Sequence, residues 1–305
     1  MSDIRDVTAD NACETDTTIA QKTWINPIGG MGDTLMISGV LKLVNERDPN
    51  RRFNLIRRTT YLDILKGHPA IDEIGHPPRD ASIIGTDYWS HEGYIHKGWR
   101  AFQTLAHMFG LELPVPERLY LPGTIEDDPI LYGLIPWKKR NILIAPVSAS
   151  PRKEMDPMLW HRLVDILRLN GAFVAQVGKA RDVHIRNAYS LLGVTTQRQL
   201  IGLLRRFDVV VTSDNFIMHA AYLMGVPAVV LWGPTRHEVY GYRGHVHLQS
   251  DRTCGDDVDC IGYAKPNIYD TRCPLGDGSC MNQTSPDVIF NAITSIRKGH
   301  LNQHR

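Results

Sequence analysis

Residues 208–235 read DVVVTSDNFIMHAAYLMGVPAVVLWGPT, in which two short apolar runs flank a segment of helical length. The runs at 208–212 and 228–232 are largely apolar, as is typical of strands that are buried on both faces of a parallel sheet. The segment at 216–224 is predicted as the helix that connects them. A strand, a helix and a strand in this order form a Rossmann-type crossover, which places the chain in the α/β class.

Strand and helix patterns alternate in two series along the 305 residues, which predicts two such units. The first series has predicted strands at 22–28, 51–58, 71–75 and 81–87 and helices at 31–49, 61–66 and 96–110. The second has predicted strands at 141–146, 172–178, 208–212 and 228–232 and helices at 157–170, 197–206, 216–224 and from 285 onward. Prolines between 114 and 136 separate the two series. The expected divisions are a disordered leader at 1–20, an N-terminal Rossmann-like domain at 21–122, a linker at 123–140, a C-terminal Rossmann-like domain at 141–285 and a C-terminal helix at 286–305.

The overall charge is close to neutral, with 34 basic and 33 acidic residues and a net charge of +1. This balance lacks the positive surface that nucleic acids or anionic membranes require, so the expected ligand is small and no nucleic-acid partner is expected. The sequence contains neither an apolar run of transmembrane length nor a signal-peptide pattern at its start. These features predict a cytoplasmic protein.

A glycine-rich turn, Gly29-Gly30-Met31-Gly32-Asp33, separates the first predicted strand from the first helix. Glycines at such a turn let the main chain approach a ligand at the positive end of the helix. Their spacing is not G-x-G-x-x-G, so a binding site for a nicotinamide dinucleotide is not favoured. Asp33 is a candidate functional carboxylate, and the alternative is an ordinary acidic residue in the first turn of a helix.

A polar turn with two cations follows the first strand of the second series. Ser148, Ser150, Arg152 and Lys153 offer hydroxyl and cationic groups that could hold a diphosphate. The alternative is a solvated surface turn.

Two further strands of the second series end in polar residues. Asp214, Asn215, Phe216 and His219 lie where free N–H groups at a helix start can bind phosphate. Asp214 could accept sugar hydroxyls or serve only as a helix cap, and His219 could contact a diphosphate or serve only in packing. Gly233 and Thr235 end the neighbouring strand, and ligands of open α/β sheets bind at this edge.

Taken together and in this order, these motifs resemble glycosyltransferase family 9, which contains the bacterial heptosyltransferases. The similarity extends from about residue 22 to 298. It is carried by Gly32-Asp33, Ser150-Pro151-Arg152-Lys153, Asp214 to His219 with Ala220-Ala221, Gly225-Val226-Pro227, Gly233-Pro234-Thr235, and Cys280-Met281 through Ser285-Pro286 to Val288.

The resemblance implies a GT-B fold, in which two Rossmann-like domains face each other across a cleft. It implies a nucleotide-sugar donor such as ADP-heptose, inversion at the anomeric carbon and no catalytic metal. Asp33 matches the general base of the family, and Lys153 matches the lysine that neutralises the donor diphosphate, with Arg152, Ser148, Ser150 and His219 beside it. Asp214, Asn215, Phe216, Gly233 and Thr235 match the donor-binding turns.

Three positions depart from the family pattern. Phe216 replaces a small glycine beside the donor, Met155 replaces an aromatic residue after the matched lysine, and Gly39 replaces a proline on the first helix. The phenylalanine leaves the identity of the donor open.

Four cysteines, Cys254, Cys260, Cys273 and Cys280, lie in the loop 254–280 with the spacing C-x5-C-x12-C-x6-C. Four thiolates in a loop without its own apolar periodicity could bind a structural zinc or iron ion, as the resemblance also implies. This spacing is wider than that of common zinc sites, and reduced thiols are the alternative.

The acceptor is expected on the N-terminal side, at Gly30, Gly32, Trp99 and Arg100, where an aromatic ring suits a sugar face. The acceptor could be a glycan, the lipopolysaccharide core, a protein or a small molecule. For a lipid-linked acceptor, the enzyme is expected to lie peripherally at the inner membrane. Two other functions fit the same architecture. These are a sugar-nucleotide epimerase and a non-catalytic nucleotide-sugar-binding protein.

Overall fold

The computed structural model describes residues 22–58, 61–125, 128–137, 140–251, 273 and 279–296. The predicted leader therefore lies outside the described residues. The described chain contains two parallel sheets, one in each half of the sequence. A mixed α/β fold with parallel sheets is the fold class that the strand and helix pattern predicts.

The first sheet has four strands in the order β3-β2-β1-β4. Its strands are β1 Trp24–Asn26, β2 Phe53–Ile56, β3 Ile71–Gly75 and β4 Ile83–Gly85. The long helix α1, Met31–Arg47, connects β1 to β2 and is buried on most of its sides. β1 pairs with β4, so the turns that follow these two strands lie side by side at one edge of the sheet.

The second sheet has six strands in the order β10-β9-β8-β5-β6-β7. Its strands are β5 Asn141–Ala145, β6 Phe173–Gly178, β7 Tyr189–Leu192, β8 Val209–Ser213, β9 Ala228–Trp232 and β10 Val246–Gln249. Every residue of β5, β8 and β9 is buried, as their apolar composition predicts. The strand order reverses at the β5–β8 pair, and such a reversal opens a crevice at the carboxyl ends of the strands.

The remaining helices are shorter than α1. They are α2 Glu92–Lys97, α3 Ala101–Met108, α4 Pro129–Gly133, α5 Pro157–Leu169, α6 Gln197–Leu203, α7 Phe216–Leu223, α8 His237–Tyr240, α9 Ser279–Asn282 and α10 Pro286–Ser295. The cap side chains of Asp156, Thr196 and Ser285 accept main-chain N–H groups at the starts of α5, α6 and α10. α10 packs on α5 and shares its apolar core with the second sheet.

Several predicted elements need correction. The single helix expected at 96–110 is two helices, because Gly98 adopts a left-handed conformation with φ of 63° and ends α2. The expected irregular stretch at 123–140 contains α4, which Asp128 caps. The strands β7 and β10 and the helices α8 and α9 were not predicted. Both strands lie at sheet edges and are partly exposed, so their sequences lack a long apolar run.

Candidate functional site

The site forms where the start of α1, from the first sheet, contacts α7, from the second. Gly29 adopts a φ of 110° between β1 and α1, a conformation that favours glycine. A Cβ atom on Gly32 would lie 2.6 Å from both Cδ2 and Nε2 of His219. The absence of a side chain at Gly32 therefore lets the two halves of the molecule meet at this point.

Asp33 lies at this contact, half-buried, and both of its carboxylate oxygens accept hydrogen bonds. Oδ2 accepts from the main-chain N–H of Gly30 at 2.6 Å, and Oδ1 accepts from the hydroxyl of Tyr88 at 2.9 Å. Burial raises the pKa of the Asp33 carboxyl, while these two hydrogen bonds and the positive charge of Lys153 oppose the rise. A carboxylate with a raised pKa is a stronger base than one in water.

Lys153 and Asp214 form an ion pair at the carboxyl ends of β5 and β8. The Lys153 Nζ lies 3.1 Å from the Asp214 Oδ2, and the side chains are 15% and 9% exposed. Burial alone raises the pKa of Asp214, but the positive charge of Lys153 and the hydrogen bond that it donates outweigh this effect and hold that pKa below its usual value. The charges of Lys153 and Asp214 both act on Asp33, so carboxylates from the two sheets share one site.

His219 is buried on α7, and its Nδ1 lies 2.7 Å from the hydroxyl of Tyr242. Burial lowers the pKa of the imidazole to about 4, so His219 is neutral at physiological pH. Tyr242 stacks on Tyr222, whose hydroxyl donates to the main-chain oxygen of Glu117. A neutral imidazole can contact a diphosphate as a hydrogen-bond partner, without adding a charge.

The other residues of the predicted diphosphate turn lie beside this ion pair. Ser148 Oγ donates to the main-chain oxygen of Asp214 at 3.2 Å, which ties the β5 and β8 turns together. Ser150 is fully buried, and its Oγ has no hydrogen-bond partner among the described residues. Arg152 is half-buried one position before Lys153. Met155 packs in the apolar core of the second sheet, where it fills the place of the expected aromatic side chain.

Asn215, not Asp214, caps α7. The Oδ1 of Asn215 accepts from the main-chain N–H of Ile217 at 2.9 Å, and its Nδ2 donates to the main-chain oxygens of Ala145 and Val147. The side chain of Asn215 is thus used within the fold. The alternative that Asp214 is only a helix cap is wrong, because its carboxylate pairs with Lys153.

Phe216 and Gly233 also have packing roles. Phe216 is buried in the apolar cluster beneath α7. A Cβ atom on Gly233 would lie 2.5 Å from the sulfur of Met281, so this glycine permits close packing of α9. Thr235 is buried two residues further along. Gly39 has a similar role on α1, because a Cβ atom there would lie 2.1 Å from the main-chain oxygen of Arg118.

The predicted acceptor-side residues Trp99 and Arg100 make contacts within the protein. Trp99 lies against His91 and His107. Arg100 forms two hydrogen bonds with the carboxylate of Glu117, at 2.6 and 2.9 Å. It also donates to the main-chain oxygens of Glu238 and Gly241, which belong to the second half of the chain. Arg100 therefore links the two halves.

Tyr88 and Tyr242, which contact Asp33 and His219, were not among the predicted site residues. Tyr88 follows β4 and Tyr242 precedes β10, so each reaches the site from a turn beside another strand. Only the strand order brings them there, and the local sequence does not encode that order.

Two of the four cysteines of the predicted metal site, Cys254 and Cys260, lie outside the described residues. Cys273 is half-buried, and Cys280 is buried against Gly233. Within the described ranges, no cluster of three or more histidine, cysteine or acidic side chains has a metal-binding arrangement. In those same ranges, no helix is both long and apolar enough to cross a membrane.

Two parallel α/β units that meet at one site have the architecture of the GT-B glycosyltransferases. The family model for glycosyltransferase family 9 (heptosyltransferase) matches residues 89–257, more than half of the chain. The chain belongs to glycosyltransferase family 9.

Solved structures share its fold at low sequence identity. The ADP-heptose lipopolysaccharide heptosyltransferase II of E. coli is 14% identical, with a TM-score of 0.63, over 90% of this chain and 98% of that chain. The iron-containing dodecameric glycosyltransferase TibC of enterotoxigenic E. coli H10407 is 14% identical, with a TM-score of 0.69, over 90% of this chain and 76% of that chain. E. coli heptosyltransferase WaaC with ADP-2-deoxy-2-fluoro heptose is 12% identical, with a TM-score of 0.58, over 90% of this chain and 99% of that chain. None of the curated protein sequences matches the chain.

Proposed function

We propose that this glycosyltransferase inverts the anomeric carbon of its donor and that the donor is ADP-heptose. The observation that carries the proposal is the convergence of Asp33 with the Lys153–Asp214 pair from the opposite sheet. Three of the structures with a similar fold are described with ADP-heptose or with ADP-2-deoxy-2-fluoro heptose.

The proposed reaction is a single displacement. A hydroxyl oxygen of the acceptor attacks the anomeric carbon, and the bond between that carbon and the diphosphate oxygen breaks. Asp33 takes the hydroxyl proton, and its raised pKa suits this role. Because the attack and the departure occur on opposite faces of the carbon, its configuration inverts.

The leaving ADP carries the electron pair and negative charge of the broken bond. Lys153 is placed to neutralise that charge, and the start of α7 adds main-chain N–H groups and the positive end of an eight-residue helix. Arg152, Ser148 and Ser150 complete the proposed diphosphate site, with Asp214 and Thr235 toward the sugar. This set of groups supplies charge stabilisation from the protein itself, so the proposed chemistry uses no catalytic metal.

The proposal is tested by incubating the protein with ADP-heptose and a panel of acceptors and measuring ADP release and product. Asp33→Asn should reduce transfer by at least about 100-fold while ADP still binds, because a general base contributes about that factor. Asp48→Asn is the matched control, since Asp48 is exposed and lies at the opposite end of α1 from Asp33. Equal activity of Asp33→Asn and wild type would refute the role of Asp33.

The same assay separates the two alternative functions. An epimerase would convert the donor sugar without any acceptor, so donor alone would yield an isomer. A non-catalytic nucleotide-sugar-binding protein would bind ADP-heptose without turnover, and Asp33→Asn would then change nothing measurable. Product analysis by NMR also gives the anomeric configuration, and retention would refute inversion.

The acceptor is proposed as a glycan, the lipopolysaccharide core, a protein or a small molecule, used in the cytoplasm or peripherally at the inner membrane. We place the N-terminal domain at 21–122 on the acceptor side and the C-terminal domain at 141–285 on the donor side. The cysteines of the loop 254–280 are proposed to hold one structural zinc or iron ion per chain. Elemental analysis of wild type and Cys254→Ser tests this, with Cys13→Ser as the control.

A further inference from the structure

Tyr88 makes a direct contact with the proposed base. Its hydroxyl donates to Asp33 Oδ1 at 2.9 Å, on the opposite carboxylate oxygen from the main-chain N–H of Gly30. The Tyr88 side chain is 4% exposed and packs edge-on against the rings of Trp89 and Tyr94. The hydroxyl is thus held in a fixed place by a buried ring.

The main chain that carries Tyr88 is tied to the turn that carries Asp33. Tyr88 follows β4, and Asp33 follows β1, and these strands are parallel neighbours. Thr86 links the two turns, because its Oγ1 accepts from the N–H of Ile28 at 2.7 Å and its own N–H donates to the oxygen of Asn26 at 3.3 Å. The geometry of the Tyr88–Asp33 hydrogen bond is therefore set by the edge of the sheet.

Two donors, one on each oxygen, orient a carboxylate while leaving lone pairs available for a third partner. Burial raises the pKa of the Tyr88 hydroxyl well above its usual value, so this group keeps its proton at neutral pH. A donor that never loses its proton favours the ionised form of Asp33. It thereby opposes the effect of burial, which raises the pKa of that carboxyl.

We propose that Tyr88 is a positioning residue that fixes the orientation of the Asp33 carboxylate and keeps it ionised as the base. This inference rests on the proposed function, since it assigns Tyr88 a role through Asp33. Tyr88 is not itself assigned any contact with the donor or the acceptor.

Other charged and titratable groups also face Asp33. Lys153 lowers its pKa and Asp214 raises it, both from the second sheet, and the neutral ring of His219 packs on the adjacent Gly32. Replacing the Tyr88 hydroxyl leaves these three groups in place. A change in the titration of Asp33 can then be assigned to the lost hydrogen bond.

The test compares Tyr88→Phe with Tyr94→Phe in the full-length protein. Each variant keeps its ring and loses one hydroxyl from the same aromatic cluster, but the Tyr94 hydroxyl contacts that of Tyr240, in the second half of the chain. The first readout is the carboxyl titration of Asp33, followed by NMR with carbon-13 aspartate and assigned with Asp33→Asn. The second is the pH profile of kcat/KM for sugar transfer, and the third is the Kd for ADP.

In Tyr88→Phe, the midpoint of the Asp33 titration should rise by about one pH unit, since a hydrogen bond to a charged group has an effect of that size. The acid limb of kcat/KM should move to higher pH by the same amount, with kcat about tenfold lower at neutral pH. The Kd for ADP should stay within about twofold of wild type, because the lysine–carboxylate pair is untouched. Tyr94→Phe should match wild type in the Asp33 titration and in the pH of the acid limb.

An unchanged Asp33 titration in Tyr88→Phe, or an equal shift in both variants, would overturn the inference. If the titration shifts as expected but wild-type protein transfers no sugar, the hydrogen bond stands and the proposed function alone is refuted. If wild type transfers sugar and the titration does not shift, the proposed function stands and Tyr88 is only a packing residue.

Discussion

Replacing Gly32 with alanine should disrupt the contact between the two halves of the molecule. The added Cβ would lie 2.6 Å from two ring atoms of His219, whereas ordinary contacts begin at 3.4 Å. The start of α1 and the ring must therefore move apart by about 0.8 Å, since atoms this close repel each other steeply. Because Asp33 follows directly in the chain, the proposed base moves with the helix.

The expected effect on catalysis is larger than that on stability. A misplacement of about 1 Å at a reacting group costs about 100-fold in rate, so Gly32→Ala should lower kcat by about 10-fold to 100-fold. Overpacking costs about 1–3 kcal/mol, and alanine in a helix recovers about 0.5–1 kcal/mol relative to glycine. The free energy of unfolding should fall by about 1–2 kcal/mol.

Both quantities are measured on the same preparations, by ADP release with acceptor present and by urea unfolding. Gly133→Ala is the matched control, since Gly133 is also helical and nothing lies within 4 Å of an added Cβ. His219→Ala removes the ring that the Cβ meets, so adding Gly32→Ala to His219→Ala should cause no further loss of stability. If Gly32→Ala kept the kcat and the stability of wild type, then α1 and α7 would not meet in the working enzyme.

Asp214→Asn removes the negative charge beside Lys153, so the free energy of unfolding, measured by urea unfolding, should fall by about 3 kcal/mol. The Kd of this variant for ADP-heptose should rise at least about tenfold. Burial lowers the pKa of His68 to about 4, so the unfolded state binds a proton more readily and stability falls as the pH drops from about 6.5 toward 4. His68→Gln should therefore remove about 2 kcal/mol of the stability difference between about pH 7.5 and 5, as measured by urea unfolding. Arg100→Ala removes a link between the halves, and it should lower kcat about tenfold with little change in the Kd for ADP. Small-angle scattering should show a larger radius of gyration for Arg100→Ala, and an unchanged radius would refute the linking role.

The central strands of the second sheet could be predicted from sequence because burial on both faces leaves a continuous apolar run. β9 has the predicted bounds, and β5 and β8 are within one residue of theirs. β7 and β10 were missed because an edge strand needs apolar residues on fewer positions, and VHLQ at 246–249 resembles a polar loop. Helix ends were misplaced where one glycine, Gly98, takes a left-handed conformation.

The candidate site was predicted in part for a similar reason. Asp33, Lys153 and Asp214 lie just after strands, and the rule that ligands bind at this edge is enough to single them out. Their partners were not predictable, because Tyr88 reaches Asp33 only through the adjacency of β4 and β1. Arg100 was expected to face an acceptor, but it lies between Glu117 and two main-chain oxygens of the second half. Its charge and position gave no indication of that contact.

The charges in the proposed site suggest how donor binding would proceed. Asp33 and Asp214 supply two carboxylates near Lys153, and a nucleotide diphosphate would bring further negative charge. Lys153 would then have to turn from Asp214 toward the phosphates, because it cannot neutralise both fully. The Asp214 carboxylate, released from the ion pair while still buried, needs new hydrogen-bond donors, and the hydroxyls of the donor sugar can supply them. Sugar and diphosphate would therefore bind cooperatively, and for this reason Asp214→Asn is expected to weaken the binding of ADP-heptose more than that of ADP.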